Sequence, residues 1–195
     1  MSQLMLRADD GLVVAMNLQR WLESTSCEDE EVLDRVVSPV LEVGCGPGRL
    51  IAALSGRGVM AMGVDASAHA VQLATIRGAP ALQRSIFDPL PGTGRWGTLL
   101  ILDGSIGIGG DPEALLTRAA ELLRPGGLVL LEIGPPGSMS RTLRARLEAD
   151  GQHTAWFPWA LVGAEAIGEL AARCGMRVAE TWTGGTRWFA SLIRH

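Results

Sequence analysis

The chain has 195 residues, enough for one domain with a sizeable core, and 47% of them are apolar against 19% charged, the balance of a globular protein. A formal net charge of −4 without any Lys/Arg cluster argues against a nucleic-acid partner held by phosphate contacts. Apolar runs such as residues 127–131 are too short to cross a bilayer, and Arg7, Asp9 and Asp10 stand where a secretory signal would need apolar residues. Cys27, Cys45 and Cys174 make no C-x-x-C pair, so a cytoplasmic protein with neither disulfide framework nor metal site is expected, as a monomer or homodimer.

Residues 12–22 read as a helix. Ser26 caps a second helical stretch over 28–37, whose leading acids Glu28 and Glu31 suit the positive end of a helix, and Pro39 ends it. Residues 1–38 are thus expected to be an N-terminal helical segment, either a lid or docking element or packing for the domain that fills 39–195.

That domain opens on Val40-Leu41-Glu42-Val43, a short buried strand. The turn Gly44-Cys45-Gly46-Pro47-Gly48 follows, and Arg49 starts a helix. Glycines let the backbone approach a ligand closely, and a helix start presents free N–H groups to it. A dinucleotide fingerprint would read G-x-G-x-x-G, a spacing absent here. The acid Glu42 suits a ligand with an amino group and a sulfonium centre better than one rich in phosphate.

Residues 59–64 form the second strand and end at Asp65, with Ala66 beside it. Ser67 caps a helix over 68–77, and Gly78 stops it. An acid at the carboxyl end of this strand is placed to accept hydrogen bonds from ribose hydroxyls, or simply to favour the following helix start. Residues 81–85 are a short third strand. Ile86, Phe87, Asp88 and Pro89 follow it as turn chemistry. Residues 96–102 are the fourth strand, near-continuously apolar as a central parallel strand should be. It runs into Asp103 and a glycine-rich loop, 104–110. Asp111-Pro112-Glu113 opens a helix with Leu115, Ala119 and Leu122 on one face, and residues 128–133 are the fifth strand.

Residues 140–150 read as a charged amphipathic helix. The stretch 151–162 concentrates His153, Trp156, Phe157 and Trp159 in a chain with few aromatics. A helix over 164–174 and a hairpin, 176–182 with 187–193, close the chain. Five strand–helix units and a hairpin describe an α/β fold: a single doubly wound, mostly parallel, seven-stranded sheet whose C-terminal hairpin inserts one antiparallel strand.

Two runs carry a family resemblance. Glu42-x-Gly44-x-Gly46-x-Gly48 closely resembles motif I of the class I, Rossmann-like, S-adenosylmethionine-dependent methyltransferases. The helix followed by Leu123-Arg124-Pro125-Gly126-Gly127 and a strand resembles the same fold. In detail the pattern is similar to small actinobacterial-type members of unassigned substrate. The resemblance covers about residues 38–195 and implies S-adenosylmethionine as cofactor, held by Glu42, Gly44, Cys45, Gly46, Gly48, Asp65 and Ala66. It also implies that Asp88 binds the adenine amino group while Ile86 or Phe87 packs on the ring. The N/D-P-P-Y/F signature of enzymes that methylate base amino groups is absent.

Asp103 is placed to contact the cofactor's amino group or the substrate, and His153 is the histidine in a plausible pocket loop. These two are the catalytic candidates. Trp21, Trp156 and Trp159 are expected to wall a pocket for a small-molecule methyl acceptor, or else to plug the core under the helix that follows. The competing functions are an NAD(P)-dependent oxidoreductase and a non-catalytic binding module of the same fold.

Overall fold

The computed structural model describes residues 4–16 and 18–195. Two sheets build it. The larger comprises β3 (Val40–Val43), β4 (Ala61–Asp65), β5 (Ala81–Gln83), β6 (Trp96–Ile101), β7 (Leu123–Ile133), β11 (Met176–Gly184) and β12 (Arg187–Arg194), in the order β11-β12-β7-β6-β3-β4-β5. β3 to β7 pair in parallel, and β12 pairs antiparallel with both β7 and β11. The expected inserted antiparallel strand is therefore β12.

Helices cover both faces of this sheet, which is why its strands are apolar at nearly every position. Leu41, Leu99, Ile101, Val129 and Leu131 pack with α5 (Pro112–Leu122) and α6 (Ile167–Arg173). Val40, Leu100 and Leu130 pack on the other face with α2 (Cys27–Leu33), α3 (Arg49–Gly56) and α4 (Ala68–Ile76). The helix starts are capped as their sequences require. Ser26 and Asp29 form a reciprocal capping box on α2, Ser67 accepts from Ala70 N at 3.2 Å, and Asp111 accepts from Ala114 N at 3.0 Å.

The smaller sheet overturns three expectations. It is antiparallel, ordered β10-β8-β1-β2 with β9 on β8, from β1 (Leu4–Ala8), β2 (Val13–Met16), β8 (Arg141–Ala149), β9 (Gln152–His153) and β10 (Phe157–Leu161). The α/β architecture thus carries a second sheet where a single one was expected. Residues 12–22 are not one helix: they split into β2 and the short α1 (Leu18–Leu22), and β1 with β2 makes a hairpin in a segment expected to be helical. Asp10 Oδ1 accepts from Leu12 N at 3.0 Å and Gly11 takes φ +93°, which turns that hairpin.

Residues 140–150 form strand β8 where a helix was expected. Leu143, Ala145 and Leu147 alternate with Thr142, Arg144 and Arg146, and β8 finds partners on both sides, in β1 and β10. Pairing on both edges decided between two periods that the segment fits equally well. Leu6, Ala8, Leu143 and Ala145 make the buried centre of this sheet's apolar face. No helix among the described residues is long and apolar enough to cross a membrane.

Candidate active site

The apolar face of the small sheet, α1 and the carboxyl edge of the large sheet enclose a cavity of about 710 Å³. The glycine turn forms its floor. Gly44, Gly46 and Gly48 take φ of +67°, +51° and +76°. Their surroundings differ. A Cβ on Gly48 would sit 2.7 Å from Ala79 Cβ and 2.9 Å from Ala74 Cβ, so this glycine lets α3 start close against α4 and lies outside the cavity lining. A Cβ on Gly44 would meet Ser105 Oγ at 2.7 Å, whereas one on Gly46 would meet nothing within 4 Å and would project into open space.

Asp65 braces the turn. Its Oδ2 accepts from Gly46 N at 2.9 Å and its Oδ1 from Ser67 N at 2.8 Å. Each oxygen keeps lone-pair capacity for a further donor. Ala66 and Cys45 also line the cavity. Burial pushes the Cys45 thiol far up, with Glu42 and Asp65 adding to the rise, so it is an inert wall rather than a nucleophile.

Glu42 is 5% exposed, faces the cavity, and its Oε2 has no hydrogen-bond partner among the described residues. Burial raises its carboxyl well above the ordinary carboxylate range. Arg49 pulls the other way, and Asp103, Asp29 and Asp65 add to the rise. A buried carboxyl oxygen without a donor costs free energy until something donates to it.

Beneath the cavity lies a charge network that the sequence reading did not find. Asp29 of α2 has no exposed surface and pairs with Arg49 of α3 and, at 2.7 Å, with Arg187 of β12. Arg49 reaches Asp103 Oδ2 at 2.6 Å, and Arg187 reaches Asp103 Oδ1 at 3.1 Å and Glu132 Oε2 at 2.6 Å. Arg20 of α1 joins at Asp29, 3.1 Å away. Three arginines thus meet three acids, and Glu132 Oε2 also accepts from Asp103 N at 2.8 Å. Burial works to raise the Asp29 carboxyl, but the Ser26 N–H, Arg49 and Arg187 outweigh it and hold Asp29 well below the usual range. Burial works to lower Arg49 and Arg187, and Asp103 and Glu132 respectively raise both.

The structure sorts the remaining candidates. Asp103 lines the cavity, in a left-handed conformation at φ +53° that its Glu132 and arginine contacts hold in place. Trp21 and Trp159 line it too. His153 lies outside it on β9, exposed, with Nδ1 3.2 Å from Thr154 O. Trp156 is also outside, under Arg146 at 4.9 Å on the other face of the small sheet. Asp88 folds its own turn, Oδ2 accepting from Ser85 N at 2.8 Å. Phe87 packs beside Gly109, and Ser85 and Ile86 reach the cavity instead.

A family model described as a methyltransferase domain matches residues 18–180. Among solved structures the fold is similar to a SAM-dependent methyltransferase from Bacteroides fragilis in complex with S-adenosyl-L-homocysteine. That match has a TM-score of 0.82 and 20% identity, and covers 99% of this chain and 88% of that one. The CcbJ methyltransferase from Streptomyces caelestis gives 0.67 at 18% identity, over 89% of this chain and 91% of that one. The 1,6-didemethyltoxoflavin-N1-methyltransferase from Burkholderia thailandensis, with 1,6-didemethyltoxoflavin and S-adenosylhomocysteine bound, gives 0.59 at 17% identity, over 80% and 70%. At such identities the likeness is one of fold. No curated protein sequence matches the chain. The family model, by contrast, spans most of it, and the protein belongs to the methyltransferase-domain family.

Proposed function

We propose that the protein transfers a methyl group from S-adenosylmethionine to a small molecule held in the outer half of the cavity. The observation that carries this reading is Glu42: a buried carboxyl with an unpartnered oxygen, aimed into a cavity floored by a glycine turn. The cofactor's amino-acid end offers the donors that this oxygen lacks. Open space over Gly46 and the spare lone pairs of Asp65 fit a ribose lying across the turn. Ile86 supplies an apolar surface for the adenine ring.

Bound cofactor supplies an activated methyl on a sulfonium, so the chemistry is an in-line displacement. The chain's own task is alignment and the exclusion of water. α1 and the small sheet roof the cavity. Arg77, at the C-terminal end of α4, donates to Trp21 O at 3.2 Å and to Leu22 O, which pins the end of α1 in place. Asp103 has both carboxylate oxygens engaged by Arg49 and Arg187, which suits it to fix the floor rather than to take a proton from the acceptor. Family membership disfavours the oxidoreductase reading, and the intact cradle disfavours a non-catalytic module.

Titration calorimetry tests the proposal. S-adenosylhomocysteine is expected to bind and NAD(P) is not. Saturable binding of NAD(P), or none of S-adenosylhomocysteine, would overturn it. Labelled cofactor with a panel of phenols, amines and carboxylic acids then reads the transfer itself.

A further inference from the structure

The outer half of the cavity differs from its floor. Leu6, Leu147 and Met16 reach it from the small sheet, together with Phe157 and Trp159. Phe157 and Trp159 stand edge to face, with centroids 5.8 Å apart and planes at 77°. α1 adds Trp21. Of the charged residues lining the cavity, Glu42 and Asp65 belong to the cofactor floor and Arg84 stands with Ser85 and Ile86 on the adenine side; the other two, Arg49 and Asp103, pair with each other at 2.6 Å and with Asp29 and Arg187 behind them. A charged guest would find no free counter-ion there and would be desolvated without return.

The glycine loop after β6 has a part in this wall. A Cβ on Gly107 would fall 2.6 Å from Trp159 Cε2 and 2.7 Å from its Nε1, and would collide with Ala160 O. One on Gly110 would lie 2.8 Å from Pro158 Cβ. These glycines let β10 settle directly on the loop backbone, which sets the indole of Trp159 at a fixed depth. That precision would be idle if the wall had only to be greasy.

We infer that the methyl acceptor is a flat, uncharged aromatic molecule, seated against the Phe157–Trp159 pair with Trp21 as a further wall. The inference rests on the methyl-transfer reading for which half of the cavity holds the acceptor. A ring satisfies the edge-to-face geometry already present on the wall, and flatness follows from rigid aromatic surfaces.

The test uses the full chain saturated with S-adenosylhomocysteine and three probes of one size: 2-naphthol, decahydro-2-naphthol and 2-naphthalenesulfonate. Calorimetry and quenching of tryptophan fluorescence read the binding. 2-Naphthol should bind more tightly than either the saturated alcohol or the sulfonate, by up to about tenfold over the saturated alcohol, the upper range of one aromatic pair. Trp159→Leu should lose about tenfold of that affinity, and Gly107→Ala should lose affinity in the same direction. Both variants should keep wild-type affinity for S-adenosylhomocysteine, which also shows that they are folded. Equal or tighter binding of the saturated alcohol overturns flatness, and equal or tighter binding of the sulfonate overturns neutrality. No naphthol binding at all, or binding untouched in both variants, overturns the site. Failure of S-adenosylhomocysteine to bind the unmodified protein instead removes the methyl-transfer reading, so the two failures are distinct.

Discussion

Arg187→Met is the substitution whose cost the charge network lets one work out. Arg187 donates to Glu132 through Nε at 2.9 Å and Nη2 at 2.6 Å, to Asp29 at 2.7 Å and to Asp103 at 3.1 Å. Without it, Asp29 keeps Arg49 and Arg20, and Asp103 keeps Arg49. Among the described residues, Glu132 keeps only the Asp103 N–H. One acid of three is left stranded. Removing one partner of a buried pair costs roughly 3–5 kcal/mol. The Glu132 side chain is 21% exposed, so water reaches it and the loss should sit at the low end, about 3 kcal/mol. For a chain of this size that lowers Tm by about 6–12 °C. Urea unfolding gives the free energy and scanning calorimetry the Tm. Adding Glu132→Gln to Arg187→Met should restore at least about 1 kcal/mol, because the stranded charge goes with it. A single-variant loss under about 1 kcal/mol, or strictly additive losses in the double variant, would refute the idea that Arg187 neutralises this floor.

Asp65→Ala should weaken S-adenosylhomocysteine binding by about 1–3 kcal/mol in calorimetry, through ribose hydroxyls left without an acceptor; unchanged affinity would take Asp65 out of the site. Gly46→Val should abolish that binding at a stability cost of only about 1–2 kcal/mol, since a residue there strains a φ of +51° but its Cβ meets no atom beyond its chain neighbours within 4 Å. Wild-type affinity in this variant would move the cradle elsewhere. Acid should destabilise the protein through Asp29. Its folded carboxyl titrates below its unfolded one, so the stabilisation is complete above the unfolded value and drains away as pH falls toward the folded one. Denaturant midpoints that fall less steeply with acid in Asp29→Asn than in the unaltered protein would bear this out; parallel falls would count against it.

The large sheet was legible because strand and helix periods alternate cleanly between capping and stopping residues. Ser26, Ser67 and Asp111 do in the structure what their positions imply. The small sheet was not, because the pairing that joins its two halves, β1 on β8, spans more than a hundred residues and neither strand signals the other. Arg7 pairs with Arg146, for instance, and only that pairing shows that residues 141–149 prefer period two. Some of this was nevertheless written in the chain. Asp10-Gly11 between Leu6 and Val13 is a hairpin signal. Phe157 and Trp159 differ by two and so share a face of β10, while Trp156, just before that strand and an odd number of steps from both, extends the alternation to the Arg146 side, outside the cavity. Alternation therefore separates the tryptophan that lines the cavity from the one that does not. The network around Asp29 had no local signature, since its members come from six separate elements or element ends.

Asp29 and Arg187 stand 158 residues apart, yet each is a condition for the other's burial. During synthesis, the acids at 29, 103 and 132 emerge from the ribosome long before the guanidinium that completes their neutralisation. β12 must then enter between β7 and β11, in the interior of the sheet rather than at its rim. A nascent chain that stops short of Arg187 thus has an open edge on β7 and an acidic excess below the glycine turn, so the ligand cradle matures late although its motif is made early. Chaperone dependence of the nascent chain should accordingly persist until β12 has cleared the exit tunnel.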